Sequence, residues 1–468
     1  MRRAAALVAL LVACAAPAGP AALETPSATS SAAPTPTVAT RPTPMTVAYL
    51  VPITNFTARR DDVRLEELVD VLVPEGWEGD LRTLLPAARL TPLPQNALVA
   101  RARAGGDRVA LVPPELVDPS VKTLSLDGRF FWDRGLDLAA YPLRRVVAGT
   151  SAEVPRGSLW ELLAAGEVIF GRGVQQRIEL YQDPRRPFAK VRSLTRGADL
   201  TVATLESPLS GDQNRYCDSC MVFVGNERYA DGLLDAGIGL VSLANNHIGD
   251  AGPRGVLDTV RVLDAAAIAH VGAGANVMAA RRAHVVAVRG LRVALLGYND
   301  VPPEEYAATA ERAGNAFFGH TPADYAGIQA DIREARKSAD LVVVIAHWGI
   351  EYEDRPRPWV VEAAHAMVDA GADVIVGGHP HWVQSIELYR GAYVAYGLGN
   401  FVFDQMWSIE TRQGTLQRLS FSGRTLRSVR IVPTLLEDWH QPRPLAPDEP
   451  GYRQTLERIW RNSVFASP

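Results

Sequence analysis

The chain has 468 residues, of which 47% are hydrophobic and 21% are charged, and its formal net charge is −4 at neutral pH. This length allows about two to four domains, since a domain commonly holds roughly 100–200 residues. The apolar content excludes a wholly disordered chain, and the slight acidity argues against a nucleic-acid-binding protein, which normally carries a basic excess. The 3 cysteines are too few for a fold built on disulfide bonds.

The first 14 residues are typical of a bacterial lipoprotein signal peptide. Arg2-Arg3 precedes an apolar run over residues 4–13, which is too short to span a bilayer. The run ends in Leu11-Val12-Ala13-Cys14, which resembles a lipobox, so we expect Cys14 to be lipidated. An ordinary secretory signal, cleaved a few residues later, is the alternative.

The segment that follows predicts a tether. Residues 15–45 consist largely of Ala, Pro, Thr and Ser, a composition that cannot bury a core and is typical of a flexible linker. No later segment is apolar for long enough to form a transmembrane helix. We therefore expect an extracytoplasmic protein that is anchored to the cell membrane as a lipoprotein.

A first folded unit is predicted over residues 46–150 as a small α/β domain. Residues 47–51 and 109–113 are strand-like, residues 65–72 are apolar at helical spacing, and residues 97–104 predict a short helix. Short pieces of this unit resemble lobes of periplasmic solute-binding proteins. A packing domain without a ligand of its own is the alternative.

A second unit, over residues 159–437, contains apolar runs that end in polar residues. Helical patterns such as 258–266 and 360–370 lie between these runs, and alternating strands and helices predict an α/β sheet with its site at the carboxyl ends of the strands. The runs are 199–205 before Glu206, 238–244 before Asn245-Asn246-His247, 341–346 before His347, 373–376 before His379 and His381, and 393–396 before Asn400.

Two hairpins are expected to add antiparallel strands at a sheet edge. Residues 285–288 pair with 292–296 about Arg289-Gly290, and residues 416–421 pair with 425–432 about Gly423. Residues 438–468 form a C-terminal extension, for which we predict a helix.

The polar residues after the strands predict a metal site. In His379-Pro380-His381 the alternate residues face the same side of an extended chain, so both imidazoles can reach one ion. His347 and the carboxylates of Glu206 and Glu351 occupy comparable positions. Imidazole and carboxylate ligands without thiolate suit zinc, manganese or iron. The remaining histidines predicted to be structural or at the surface are His270, His284, His320, His365 and His440.

Cys217 and Cys220 are expected to form a disulfide bond that closes a small loop. An extracytoplasmic location favours oxidation, and a zinc site would need a second cysteine pair that the chain lacks. Redox catalysis is the less favoured alternative, because the pair lies in a predicted loop and not at a strand–helix junction.

Taken together, the motifs over about 165–432 resemble the CapA family of poly-γ-glutamate capsule synthesis proteins. That family is similar to calcineurin-like metallophosphoesterases, which implies a four-layer α/β/β/α sandwich around a centre of one or two divalent ions. The motifs are Glu206-Ser-Pro-Leu209, Leu243-Ala-Asn-Asn-His247 with Asp250-Ala-Gly252, His347-Trp-Gly-Ile-Glu-Tyr352, Gly378-His-Pro-His381 and Gly397-Leu-Gly-Asn-Phe-Val-Phe-Asp404.

The resemblance also implies roles for individual residues. His247 becomes the imidazole that faces a scissile phosphate, and Asp250 and Glu351 are the further catalytic candidates. The implied metal ligands are Glu167, Glu206, Asn246, His347, His379 and His381.

The sequence departs twice from the family pattern and once from that of true phosphoesterases, and the first of these departures affects the first metal position. Glu167 stands where the family usually has Asp, and its longer side chain moves the carboxylate by about one methylene. Thr204 stands where the family commonly has Asn. The Asp-x-His opening of true phosphoesterases is absent, because Ile169 follows two residues after Glu167. We therefore expect one firmly bound ion and a weaker second one.

The function implied by the resemblance is that of an exported protein for capsule or poly-γ-glutamate biosynthesis or transport at the cell surface, with a phosphoesterase-type site of undecided activity. Its expected partners are an anionic polymer such as poly-γ-glutamate or a phosphoester substrate, the membrane, and capsule-synthesis proteins, but no nucleic acid. A secreted metallophosphoesterase and a non-catalytic, metal-stiffened polymer-binding module are the alternatives.

Overall fold

The structure, a computed structural model, describes residues 45–104, 106–148, 155–211 and 221–465. The predicted lipidation site Cys14 and the predicted disulfide of Cys217 and Cys220 lie outside the described residues. Within the described ranges, no helix is both long and apolar enough to cross a membrane.

Residues 45–148 contain a five-stranded sheet with the strand order β5-β4-β6-β2-β7. Its core is formed by Val51, Leu72, Leu111 and Phe131, which are buried. The elements are β1 (Met45–Tyr49), β2 (Val51–Thr54), β3 (Asp62–Val63), β4 (Asp70–Pro74), α1 (Glu78–Leu84), β5 (Arg89–Leu93), α2 (Gln95–Ala104), β6 (Val109–Val112), β7 (Lys122–Thr123), β8 (Ser125–Leu126) and β9 (Arg144–Ala148).

The helix expected over residues 65–72 is wrong. Residues Leu65–Glu67 form one 3-10 turn, and β4 begins at Asp70. Residues 71–73, which are all apolar, pack in the core of the sheet. Packing of a buried strand therefore overrides the helical spacing, which was supported by only two turns.

Residues 155–211 and 221–465 form two large sheets with helices outside them, and a separate two-stranded sheet of residues 273–274 and 314–315. The strands are β10 (Leu159–Val168), β11 (Leu200–Leu205), β12 (Leu240–Ser242), β13 (Ala269–Val271), β14 (Ala273–Gly274), β15 (His284–Val288), β16 (Leu291–Asn299), β17 (Gly314–Asn315), β18 (Leu341–His347), β19 (Val374–Gly378), β20 (Ile386–Tyr389), β21 (Ala392–Ala395), β22 (Asn400–Val402), β23 (Gln413–Ser422), β24 (Thr425–Glu437), β25 (Gln441–Pro444) and β26 (Val464–Phe465). The helices are α3 (Arg172–Tyr181), α4 (Arg192–Thr195), α5 (Ala230–Asp235), α6 (Gly252–Ala265), α7 (Val277–Ala280), α8 (Pro322–Ser338), α9 (Pro358–Ala370), α10 (Ile409–Arg412) and α11 (Pro450–Arg461).

Each large sheet has a run of parallel strands with antiparallel strands beside it. The first sheet has the order β13-β12-β11-β10-β23-β24-β25, with β22 also paired to β10, and β10 to β13 are parallel. The second has the order β15-β16-β18-β19-β21-β20-β26, and β16, β18, β19 and β21 are parallel. Both predicted hairpins, β15-β16 and β23-β24, are confirmed.

The two sheets pack face to face and form the middle of four layers. Leu162 and Val202 of the first sheet share one buried core with Val343 and Val374 of the second. Helices α3, α5 and α6 cover the outer face of the first sheet, and α8 and α9 cover that of the second. The predicted α/β/β/α sandwich is therefore confirmed, and the parallel strands of both sheets end near the same edge.

A buried lysine joins the first segment to the C-terminal helix. Lys122 is only 6% exposed, and its Nζ donates hydrogen bonds to the Ala58 carbonyl at 2.7 Å, to Asp61 at 3.0 Å and to the Tyr452 hydroxyl on α11 at 3.0 Å. The division of the chain at 150 and 159 stays a prediction. The hydrogen bonds of Lys122 nevertheless connect residues that lie on both sides of this predicted division.

We predict that Lys122→Met lowers the free energy of unfolding by about 1–3 kcal/mol, because it leaves buried acceptors without a donor. Lys337→Met is the control, since Lys337 pairs with Glu334 at the surface. Chemical denaturation of both variants measures the difference. Equal unfolding midpoints for the two variants would contradict the structural role of Lys122.

Candidate metal centre

The six predicted metal ligands lie at the carboxyl ends of strands from both large sheets. Parallel strands bring their carboxyl ends to one edge of a sheet, and here two such edges meet. The ligands are Glu167 near the end of β10, Glu206 directly after β11, Asn246 after β12, His347 at the end of β18, and His379 and His381 after β19.

The two sheets supply donor atoms that lie close enough to share ions. Ligand atoms of Glu206, His347 and His379 all lie within 4.8 Å of one another, and those of Glu167, Glu206 and His381 meet the same limit. Nε2 of His347 is 3.4 Å from Oε1 of Glu206. Glu206 belongs to both groups, which is the position expected of a bridging ligand.

The amide of Asn246 joins this arrangement through His347. Its Oδ1 lies 2.8 Å from Nε2 of His347. An amide oxygen and an imidazole nitrogen this close can both turn toward one cation. The structure thus brings Asn246 together with the carboxylates and histidines that the sequence motifs predict.

Several of these donor atoms are buried without a hydrogen-bond partner among the described residues. Both carboxylate oxygens of Glu206 lack one, as do Oε2 of Glu167, Nδ1 of His347 and Nδ1 of His379. Glu167 and Glu206 are 0% exposed. A buried carboxylate without a partner is strongly unfavourable unless a cation compensates its charge. The donor set of carboxylates and imidazoles therefore fits a divalent metal ion.

Electrostatics within the cluster favour the ligand forms of His379 and Glu206. Burial, reinforced by the charges of His347 and His381, lowers the pKa of His379 well below its usual value, so its imidazole is neutral. Burial alone would raise the pKa of the Glu206 carboxyl, but the charge of His347, followed by that of His381, outweighs it and lowers that pKa. A neutral imidazole and an ionised carboxylate are the forms that bind metals.

The turn that carries the two histidines has a strained backbone. His379 has a φ of 89° and His381 a φ of 57°, a region that residues other than glycine rarely adopt. The Glu167 carboxylate accepts a hydrogen bond from the backbone N–H of His379, which holds the turn. Strain of this kind clusters at functional sites, where the surroundings hold it in place.

His247 lies beside the cluster and is oriented by two neighbours. Its Nδ1 is 2.8 Å from Oδ2 of Asp250, and its ring stacks on Phe223 with 3.9 Å between ring centroids. Asp250 is 2% exposed and also accepts a hydrogen bond from the Phe223 backbone N–H at 2.7 Å. The Nδ1–H bond leaves Nε2 of His247 as the atom free to exchange a proton.

Glu351 stands apart from the buried cluster. Its side chain is 42% exposed, and its Oε1 lies 3.8 Å from Nε2 of His381. Its ligand atom falls within 4.8 Å of those of His379 and His381. Glu351 therefore borders the outer side of the cluster, where a side chain can reach a substrate or an ion from solvent.

Sequence reasoning gave no role to Asn400, although the residue lies in one of the family motifs. Asn400 is 1% exposed, and its Oδ1 accepts a hydrogen bond from Nδ1 of His381 at 2.9 Å. Its Nδ2 donates to Gln405 and to the Thr411 carbonyl, both at 2.9 Å. These bonds turn Nε2 of His381 away from Asn400. A polar residue inside an apolar strand sequence was the available signal.

The family model described as Bacterial capsule synthesis protein PGA_cap matches residues 161–405, more than half of the chain. The chain belongs to this family. The matched range contains every predicted metal ligand and His247, so the PGA_cap region coincides with the candidate metal centre. The resemblance to CapA proteins is thereby confirmed.

Two relatives support the same assignment. The chain is 33% identical over 277 residues to the capsule biosynthesis protein CapA of Bacillus anthracis. The aligned region covers 58% of this chain and 66% of that protein. It is 32% identical over 324 residues to the PGA biosynthesis protein CapA of Bacillus subtilis. This alignment covers 67% of this chain and 83% of that protein.

Among solved structures, the NAD nucleotidase NadN of Haemophilus influenzae matches with 11% identity and a TM-score of 0.36, covering 66% of this chain and 64% of that one. A score this low supports no conclusion about the site. The description of the PGA_cap centre therefore depends on the residues of the chain itself.

We predict that His379→Ala and His381→Ala each lower the affinity for the bound metal by at least about 10- to 100-fold, the loss typical even for groups that only support a ligand. His365→Ala is the matched control, because His365 lies on α9 and bonds Glu387 at 3.0 Å. Elemental analysis after dialysis against a buffered metal concentration measures the difference. Equal metal content in all three variants would contradict the assignment.

Proposed function

We propose that this PGA_cap protein is an exported, membrane-anchored accessory protein for the assembly or transport of poly-γ-glutamate or a similar anionic exopolymer, with a metal-dependent phosphoesterase-type site. The polymer role is supported by membership of the family and by the names of the two relatives. The observation that carries the site is the set of buried carboxylate and imidazole atoms without protein partners among the described residues. Such atoms require a cation, which a purely structural core would not.

A divalent ion held by Glu206, His347 and His379, with Glu167 and His381 beside it, would polarise a phosphoryl or acyl oxygen and activate a water molecule. The protein's own part is to orient His247. Asp250 accepts the Nδ1–H of that imidazole and fixes its orientation, so that Nε2 is the atom placed to give a proton to a leaving group. Phe223 holds the ring plane by stacking.

We predict that His247→Ala retains metal but lowers turnover of a phosphodiester such as bis(p-nitrophenyl) phosphate by about 10²–10⁴-fold, the usual contribution of a positioned acid. Asp250→Asn should lower turnover less, because the imidazole remains and loses only its charged partner. Steady-state rates on metal-loaded protein, with His365→Ala as the control, measure both effects. Turnover unchanged by His247→Ala would exclude it as the proton donor.

Two alternatives make different predictions in the same assay. A secreted phosphoesterase would turn over small phosphoesters at a high rate and would not bind the polymer. A metal-stiffened binding module would bind both metal and polymer and would turn over no phosphoester, whatever residue stands at 247.

Location forms a separate part of the proposal, motivated by the apolar run that ends at Cys14 and by the linker after it. We predict that Cys14→Ala moves the protein from the membrane fraction to the soluble fraction, since the lipid can no longer be attached. Fractionation and immunoblotting measure the shift, with Cys217→Ala as the control for loss of a cysteine. Unchanged membrane partition would contradict lipidation.

A further inference from the structure

A second polar cleft lies at the opposite end of β10 from the metal centre. It has a volume of about 370 Å³. Residues 130–134, between β8 and β9, form one wall, and the starts of β10 and β11 with parts of β23 and β24 form the other. Glu161 at the cleft and Glu167 at the metal centre are six residues apart on one strand, a separation of about 20 Å at roughly 3.3 Å per residue.

Two arginines face each other across neighbouring strands in this cleft. Arg418 on β23 pairs in register with Arg430 on β24, and like charges directly opposite each other destabilise a sheet. Glu161 compensates only one of them. Its Oε1 lies 2.7 Å from Nη2 of Arg418, whereas its Oε2 lies 4.0 Å from Nη2 of Arg430.

The guanidinium of Arg430 thus lacks a close anionic partner among the described residues. It lies over the Phe130 ring at 3.7 Å, and its Nε has no hydrogen-bond acceptor in the same part of the chain. Burial, followed by the charge of Arg418, lowers the pKa of Arg430 to about 10, although Glu161, Asp61 and Asp133 oppose that shift. The pKa remains well above neutrality, so the group is charged.

A third arginine of the lining, Arg134, is paired with an acidic residue of the same lining. Arg134 and Arg289 share the Asp199 carboxylate, at 2.9 Å and 2.8 Å. Arg134, Arg418 and Arg430 line the cleft together with Glu161 and Asp199. Asp133 also lines the cleft, but it is exposed to solvent. The formal charges of the lining therefore balance, and the poorly compensated positive charge is local to Arg418 and Arg430, which share the Glu161 carboxylate.

The cleft also contains apolar surface and an unused hydrogen-bond donor. Trp132 is 4% exposed, and its Nε1–H has no acceptor among the described residues. Phe130 and Trp160 line the same space. A ligand that suits this lining has carboxylate groups for the arginines and a hydrocarbon stem for the rings.

We propose that this cleft is a carboxylate-binding site that holds a glutamyl segment of the anionic polymer away from the metal centre. The choice of ligand rests on the proposed function, whereas the incomplete compensation of Arg418 and Arg430 does not. Guanidinium groups bind carboxylates through two parallel hydrogen bonds, and γ-linked glutamate presents one carboxylate per residue on a hydrocarbon chain. With two separate sites, the cleft would hold a long polymer while the metal centre acts on the polymer's end.

The test is calorimetric titration of the full-length protein with a tetramer of γ-linked glutamate. Arg430→Met, which keeps the length of the stem and removes the charge, should weaken binding by about 10-fold or more. Arg134→Gln should weaken it as well, and since its side chain is 46% exposed this variant keeps the proposal testable if Arg430→Met does not fold. Arg333→Gln, an exposed arginine on α8, is the matched control and should bind as the parent does.

Three further arms separate a carboxylate site in the cleft from a general anion site and from polymer binding at the metal centre. Binding should be lost for the tetramer with its side carboxylates converted to amides, and it should persist in His379→Ala and after metal removal by EDTA. Inorganic phosphate that binds as tightly as the tetramer, with the same sensitivity to Arg430→Met, would overturn the carboxylate assignment in favour of a general anion site.

The outcomes distinguish failure of the cleft from failure of the proposed function. Tetramer binding that is lost in His379→Ala and unchanged in Arg430→Met and Arg134→Gln would place the polymer at the metal centre, which overturns the cleft proposal and leaves the proposed function standing. Absence of any tetramer binding by the parent overturns the cleft proposal and the polymer role together. The metal and phosphoesterase measurements test the centre independently of both.

Discussion

Burial of two carboxylates, most of whose oxygens have no hydrogen-bond partner among the described residues, is the constraint on which the rest of the structure depends. Glu167 and Glu206 are fully buried, and three of their four oxygens accept no hydrogen bond among the described residues. Burying such charges is costly unless a cation or paired donors compensate them. The imidazoles of His347 and His379, which each also leave one nitrogen unpartnered within the described ranges, complete a donor set for which a divalent ion is the fitting occupant.

The sandwich is the arrangement that makes this donor set possible. The carboxylates come from the first sheet and the histidines from the second, so neither sheet holds the site alone. Close approach of the sheets requires a small residue at Gly378, because a Cβ there would lie 2.5 Å from Oε1 of Glu167. The geometry of the metal centre therefore depends on tight packing between the two sheets as well as on the ligand side chains.

Sequence reasoning predicted the features that depend on local pattern. Apolar runs that end in polar residues located β11, β18 and β19 and the ligands after them, because a strand buried on both faces is a continuous apolar run. The helix over 65–72 failed, since periodicity over two turns does not separate a short helix from a buried strand. A single sequence could not show which strands become neighbours.

Contacts between distant segments account for the remaining features. Asn400 orients His381 through a bond within a loop-rich region, and only the folded chain shows it. The cleft at Arg430 likewise forms because residues 130–134 lie against β23 and β24, about 290 residues further along the chain. The close pairing of two guanidinium groups in that cleft depends on the register that places Arg418 opposite Arg430, which no local pattern encodes.

The most direct test of the metal centre is anomalous X-ray diffraction from crystals grown with Mn²⁺, measured at the manganese absorption edge. We predict a peak about 2 Å from a carboxylate oxygen of Glu206 and from a ring nitrogen of His347 or His379. Crystals soaked with EDTA should lose this peak. A map without a peak at Glu206, or with manganese only elsewhere on the chain, would contradict a metal centre held by these residues.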